Sequence, residues 1–538
     1  NNPLLSLTAV WLCLLLASGC ALEVADDAAP SALSFCSVNE ECQQGEVCEG
    51  GFCVVQTEVK ELVAVQLTPS NNGDVLAEQF PQVEMEQGQP MPILQFQQPK
   101  LLFGRVRVAG TDQSDEPVSI NARLLLRRIE PNISGVPLFY EVESKREEGY
   151  VLRLPGGIYD ITILPESDEL PPERVQNLPI SVDTQYDITI GGTREAITVA
   201  GRMIFTNARN EADQPVSGAR VVAIDERDST VSTAATTDED GNFVLTVRQN
   251  VDQIRLVLDP TDKEPLLPRV ITEDIRLTGR EVTLGNLSLG VVQPEGQRVR
   301  GTLLGQDDGK PVTDASMVFR TALGDGLLVA NTITDDQGNF ALELPPGTYT
   351  VRVLPPSNST YALTELPNLQ VRTLEDGQTS PFIDLEIPSK VLVRGKALAP
   401  SGDRALFNAT IRMTGVEVAG SGDSARTYSA RTNQDGSFEV AIDPGVYDIE
   451  LIPTDTNGFA RAFLYGVELS QPVNEQDLFA SRSNLARGVI IDPNNVPTPD
   501  ILVEIFRLDT DRGPTLVGSG LTNAQGEYRL LVPALRIQ

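Results

Sequence analysis

Glycines at Gly104, Gly201, Gly301, Gly395 and Gly488, separated by 97, 100, 94 and 93 residues, each open one copy of a repeated pattern. Repetition at a fixed period constrains the fold more than any other feature of a chain. The clearest copy runs Arg300-Gly301, then Pro311-Val312-Thr-Asp-Ala315, then Thr334-Asp335-Asp336-Gln337-Gly338-Asn339-Phe340. It ends Pro345-Pro346-Gly347-Thr348-Tyr349-Thr-Val351-Arg-Val353. Apolar and polar residues alternate through these stretches, the sign of half-buried strands, and no stretch keeps a helical period. Helices should be few and short.

The landmark Thr-Asp-x-x-Gly-x-aromatic recurs from Thr237 to Phe243, Thr334 to Phe340, Thr432 to Phe438 and Thr522 to Tyr528. Its turn residues are Asp238 and Gly241, Asp335 and Gly338, Asn433 and Gly436, and Asn523 and Gly526. An Asp or Asn opens a turn by accepting hydrogen bonds from backbone amides, and glycine takes the positive φ that closes it. Calcium ligation is the rival for these acids. It needs about six to eight oxygens with a distal bidentate acid, and two of the four copies carry Asn instead. The turn reading stands and no metal is expected.

Nine residues after an aromatic comes a second one: Tyr150 leads to Tyr159, Phe340 to Tyr349, and Phe438 to Tyr447. Such a corner tyrosine buries its ring and hydrogen-bonds nearby backbone. Tyr159, Phe243, Phe340, Tyr349, Phe438 and Tyr447 are therefore expected in the core and not on a ligand platform. Asn177-Leu178-Pro-Ile180, with Asn286-Leu287-Ser-Leu289 and Asn368-Leu369-Gln-Val371, is read as a closing strand. Many short alternating strands with frequent turn signals imply all-β, tandem antiparallel sandwiches of about seven strands, Ig-like or prealbumin-like, and self-contained like beads.

The pattern Thr-Asp-x-x-Gly-x-Phe followed by Leu344-Pro345-Pro346-Gly347-x-Tyr349-x-Val351 resembles carboxypeptidase regulatory-like domains. The resemblance implies a transthyretin-like sandwich close to Cna-B modules, and it is almost silent on function, because such folds serve many roles. Three copies depart from it. The first reads Glu147-Glu148-Gly149-Tyr150, the second lacks Pro-Gly-x-Tyr, and the fifth stops at Val532-Pro533-Ala534, which implies an incomplete fifth sandwich. Lys396 is alone among lysines beside a repeat-opening glycine, so Lys-Asn isopeptide bonds are not expected.

Ahead of the repeats, Leu4 to Leu16 is an uncharged apolar run followed by Ala17-Ser18-Gly19-Cys20. The run falls short of the about 20 residues that span a bilayer and reads as an export signal. Small residues before a cysteine resemble the bacterial lipobox, which implies lipidation at Cys20 and, with Ala21 next, placement at the outer membrane. The start at Asn1 without Met implies a few missing residues. Cys36, Cys42, Cys48 and Cys53 lie within 18 residues, which in an exported chain indicates a small disulfide-stapled module. Zinc is the rival reading, but the spacings of five, five and four residues are wider than paired C-x-x-C ligands. Resemblance to cysteine-rich modules of surface lipoproteins implies first-to-third and second-to-fourth pairing.

The expected organisation is a signal peptide over 1–19, a tether over 20–33, the cysteine-rich module over 34–56, and a linker over 57–99 that could carry a leading strand. Sandwiches then follow at 100–191, 192–293 (divergent), 294–389, 390–481 and 482–538 (truncated).

Composition narrows function. Against 42 basic residues stand 75 acidic ones, a net charge of −33, which repels nucleic acid. There is no histidine, so the usual general base, nucleophile partner and metal ligand are missing together. The one tryptophan is Trp11, inside the export signal. The expectation is a non-catalytic lipoprotein without cofactors. Its rod of sandwiches, held to the membrane by a lipid anchor, would act as a scaffold or as a stalk that recognises a protein or polysaccharide. The alternatives are a carbohydrate-binding accessory protein, or the non-catalytic part of an enzyme whose catalytic domain lies beyond Gln538.

Overall fold

The computed structural model describes residues 46–49, 52–55, 60–70, 75–109, 117–167, 170–191, 197–207, 212–227, 229–248, 251–260, 267, 269–292, 299–323, 326–372, 382–418 and 426–535. Two compact units divide the chain, Asn1–Val59 and Lys60–Gln538. In the first, the strands Glu46–Glu49 and Phe52–Val55 form an antiparallel hairpin whose register sets Cys48 opposite Cys53. Cys20, Cys36 and Cys42 lie outside the described residues, as does the apolar run.

The second unit is all-β. Among the described residues its one helical turn is a 3-10 turn at Asp455–Asn457. The third sandwich shows the plan. One sheet orders the strands Gly326–Ile333, Ser316–Leu323, Gly347–Leu354 and Thr364–Val371, all antiparallel. The other sets Val299–Gly305 between Asn339–Leu342, antiparallel, and Phe382–Ile387, parallel. Parallel pairing beside the opening strand is the departure from a purely antiparallel fold, and it recurs in the fourth sandwich, where Val391–Leu398 runs parallel to Val473–Glu475 and to Leu478–Phe479. Inward side chains alternate along each strand: Tyr349, Val351 and Val353 are fully buried, as are Met317 and Phe319 facing them.

The repeat-opening glycines have a packing cause. Each faces the aromatic of its turn motif across a strand pair: Gly104 faces Tyr150, Gly201 Phe243, Gly301 Phe340, Gly395 Phe438 and Gly488 Tyr528. At Gly301 a Cβ would come within 2.6 Å of the Phe340 ring and 1.9 Å of the Ile383 carbonyl oxygen. Only glycine leaves room for the ring and the parallel strand together.

Two features differ from a row of self-contained beads. The second and third sandwiches share one sheet and one core. Arg269–Ile271 pairs antiparallel with Gly326–Ile333, and buried residues from Val199 to Ile387 form a single cluster. The segment Asn286 to Leu289 is not a closing strand equivalent to Asn177–Ile180. It lies in Glu281–Val292, which runs parallel to Ile197–Asn207 in the opposite sheet.

The larger difference concerns residues 57–99, expected as a linker, and the fifth sandwich, expected as truncated. The strand Lys60–Pro69 pairs antiparallel with Ile501–Asp509, Glu78–Glu86 pairs with Lys60–Pro69, and Leu94–Gln95 runs parallel to Ser483–Ile491. These occupy the places that Gly445–Ile452, Ala462–Leu469 and Leu478–Phe479 hold in the fourth sandwich. The physical reason is apolar burial: Val63, Val65, Leu67, Met85, Leu94 and Phe96 pack with Ile490, Val503, Ile505, Val517 and Val532 in one core. Neither piece can close a sandwich without the other.

Candidate functional site

The turn acids are consumed by their own turns. Asp335 Oδ1 accepts backbone N–H bonds from Gln337 and Asn339, both at 2.8 Å, while Oδ2 accepts from the Asn339 amide at 3.1 Å. Asp238 repeats this with Asp240 N at 3.0 Å and Asn242 N at 2.8 Å. Asn523 reproduces it without a charge, accepting from Gln525 N and Glu527 N, both at 2.9 Å. At Asn433 the backbone closes the turn: its N–H donates to the Ser437 carbonyl, and its own carbonyl accepts from Gly436. The backbone amides, led by those of Asn242 and Asn339, hold the Asp238 and Asp335 carboxyls below the usual range. Gly241, Gly338, Gly436 and Gly526 all have positive φ. No group of three or more His, Cys, Asp or Glu able to hold a metal occurs among the described residues.

The threonine that begins each turn motif was not singled out by sequence reasoning, yet it is equally structural. Thr334 Oγ1 accepts from Ala315 N at 2.9 Å and donates to the Val312 carbonyl at 2.8 Å. Thr237 and Thr522 make the same pair of bonds. All of them are buried.

The corner tyrosines are fully buried, and each hydroxyl donates to a carbonyl four residues back: Tyr159 to Pro155 at 2.6 Å, Tyr349 to Pro345 at 2.7 Å, Tyr447 to Asp443 at 2.7 Å. Burial pushes all three hydroxyls above their ordinary range. Phe243, Phe340 and Phe438 are buried against the repeat-opening glycines.

Chemistry that the turns and corners leave over gathers at the seam of the fifth sandwich. The buried charged residues among those described are Glu61, Glu78, Arg128, Asp443 and Arg507. Four of them flank the strands of 60–97. Arg507 makes a two-point bond to Glu61, Nε to Oε1 at 2.6 Å and Nη2 to Oε2 at 2.9 Å, and donates further to the Ala534 carbonyl at 3.1 Å. Arg128 Nη2 donates to the Gly156 carbonyl at 2.7 Å and lies 4.0 Å from Glu78 Oε1. The two arginines hold matching places, since Arg128 faces Tyr159 across its strand pair and Arg507 faces Val63. The break in the fifth sandwich thus falls at its Pro-Gly corner, between Ala534 and Glu61. Arg507, bonded to Ala534, there takes the part that the tyrosine-to-carbonyl bond plays in the first, third and fourth sandwiches. Burial raises the Glu78 carboxyl above its usual range.

Two open clefts lie among the described residues. One of 690 Å³ lies between the first and second sandwiches and is lined by Arg174, Arg227, Arg248 and Arg276 with Asp225, Glu226 and Asp252. Arg248 sits 3.6 Å from Asp225. The other, of 630 Å³, includes Glu226, Arg255, Glu273 and Asp274.

Comparison with known proteins fits the plan of the third sandwich. The carboxypeptidase regulatory-like domain family matches residues 298–384. Among solved structures the chain is similar to the Bacillus anthracis TIE protein, at 14% identity over 71% of this chain and 74% of that one, with a TM-score of 0.18. It is also similar to GBS52, the minor pilin of Streptococcus agalactiae, at 10% identity over 36% of this chain and 95% of that one, TM-score 0.23. The shaft pilin SpaA of Lactobacillus rhamnosus GG is similar at 11% identity over 35% and 98%, TM-score 0.20. No match was found among curated proteins. The part of the chain with a recognised family likeness is its third sandwich, similar to a carboxypeptidase regulatory-like domain.

Proposed function

We propose that this chain is a non-catalytic, lipid-anchored protein of the cell surface whose sandwiches act as a scaffold. The observation that carries this reading is the fate of its chemistry-bearing residues. Turn acids, buried threonines and corner tyrosines spend their polar atoms on their own backbone. A chain without histidine has little left from which to build an acid–base pair. The apolar run Leu4 to Leu16, followed by small residues before Cys20, supports export and lipidation. The test is expression of the chain with its native leader, in parallel with Cys20→Ser, in a host fed an alkyne fatty acid. The intact chain takes up label and sediments with membranes, and Cys20→Ser does neither. Label on both, or on neither, overturns the anchor.

A second reading, polysaccharide binding, is favoured by the arginine cleft. Four arginines stand there beside three carboxylates, a local excess of positive charge in a chain of net charge −33, and guanidinium groups suit the carboxylates of an acidic sugar polymer. An array containing uronate polymers tests it. Binding that disappears in Arg227→Glu with Arg276→Glu supports the reading, and a uniformly blank array removes it.

A further inference from the structure

The fifth sandwich is the one whose two halves are separated by the rest of the unit. Its donor half, residues 60–97, is carried on the first sandwich, because Gln79 donates to the Val136 carbonyl at 2.8 Å and Tyr140 donates to the Ala77 carbonyl at 2.8 Å. Its acceptor half, residues 482–535, is carried on the fourth, where Arg461 bonds Ser519 at 3.0 Å and Arg512 stacks 4.0 Å over the Tyr465 ring. The contact between donor and acceptor is therefore heterologous: one surface of the chain meets a different surface of the same chain. Such a contact can be closed within one copy or passed to the next with every bond unchanged.

We propose that this seam is a strand-exchange joint, in which residues 60–97 of one copy complete the fifth sandwich of a second copy. Three observations support it. The seam is a full strand ladder, with Val63 to Pro69 registered against Arg507 to Ile501. Donor and acceptor residues make one shared core, so a donor from another copy finds an equal site. At the break, where the other sandwiches have a covalent corner, stands the Glu61–Arg507 pair. A buried charge pair adds little net stability yet costs heavily when one partner is wrong, which suits it to selecting a partner. Two copies exchanging donors leave no socket open, whereas an open pair leaves one donor and one socket and can extend.

Charge reversal separates exchange from closure within one chain. Glu61→Arg and Arg507→Glu each place like charges at the break and weaken self-closure. Mixed together, the Glu61 donor of one variant meets the Arg507 socket of the other, and the reversed pair meets likewise. The full chains would be unfolded, mixed and refolded under reducing conditions, so that the N-terminal cysteines form no links, and then sized by light scattering. The equimolar mixture should hold more than about tenfold more two-chain species than either variant alone, since a broken buried pair is costly. The Glu61→Arg/Arg507→Glu double variant, refolded alone, should match the unaltered chain and shows that reversal is compatible with folding. Wild-type chain refolded at rising concentration gives an independent arm, with two-chain species increasing. A mixture that stays monomeric at every concentration, with wild-type chain also monomeric throughout, overturns exchange and leaves closure within one chain.

Discussion

Glycine and the aromatic across from it form one packing unit in every repeat, and the tight fit makes them sensitive. Gly301→Ala drives a methyl into the Phe340 ring and the Ile383 carbonyl. Overpacking of this kind costs about 1–3 kcal/mol, read as a drop in the denaturation midpoint. Tyr349→Phe keeps the ring and loses the bond to Pro345, for a loss of about 1 kcal/mol in the same measurement. The turn acids give a pH test. Asp238 and Asp335 have lowered folded pKa values because backbone amides favour the charged form. Their contribution is complete above about pH 4 and is lost as pH falls through the folded value. Asn523 holds the matching turn of the fifth sandwich with no titrating side chain at that position. Asp238→Asn with Asp335→Asn should therefore leave melting at neutral pH nearly unchanged and flatten its decline below about pH 4. An equally steep decline in both proteins would refute the assignment.

At the scale of the element, the strand Lys60–Pro69 carries the chief surprise. A sequence signal for it exists. Val63-Ala-Val65-Gln-Leu67-Thr-Pro69 has the spacing of Tyr159-Asp-Ile161-Thr-Ile163-Leu-Pro165 and of Tyr447-Asp-Ile449-Glu-Leu451-Ile-Pro453. The match is hidden because valine replaces the corner tyrosine and no Pro-Gly precedes it. Asn286 misled in the opposite direction. It has the Asn-Leu spelling of Asn177 and Asn368, but those two adopt positive φ at a bulge, whereas Asn286 belongs to a different strand of its sandwich. Leu67 is fully buried in the fifth core, so Leu67→Ala should cost about 2–5 kcal/mol. In hydrogen exchange the loss should appear in 501–509, more than 430 residues from the substitution, and leave 410–418 protected. Unchanged protection in 501–509 would mean that the strand does not sit there.

Across the Lys60–Gln538 unit, sandwiches differ in how they are joined. The second and third share a sheet through Arg269–Ile271 and Gly326–Ile333, with Val270 buried opposite Leu328. They should unfold as one cooperative body. Val270→Asp buries an unpartnered carboxylate and should cost about 2–4 kcal/mol. Hydrogen exchange should then speed up together in both, while the first sandwich keeps its protection; a loss confined to 197–292 would show two independent bodies. The third and fourth meet instead through a polar contact, where Asp443 accepts from Leu363 N at 2.8 Å.

The sequence by itself determined the module. Turn chemistry, two-residue alternation and the glycine–aromatic spacing act over a few residues, so five copies, their strands and their buried tyrosines are written locally. Which half-module pairs with which was decided only by tertiary structure. A strand ladder is made of backbone bonds that are the same for every residue, and only the fit of two distant apolar faces selects the partner. The first and last strands of the unit could be matched only in three dimensions, where Val63, Val65 and Leu67 meet the open half-core that begins at Ser483.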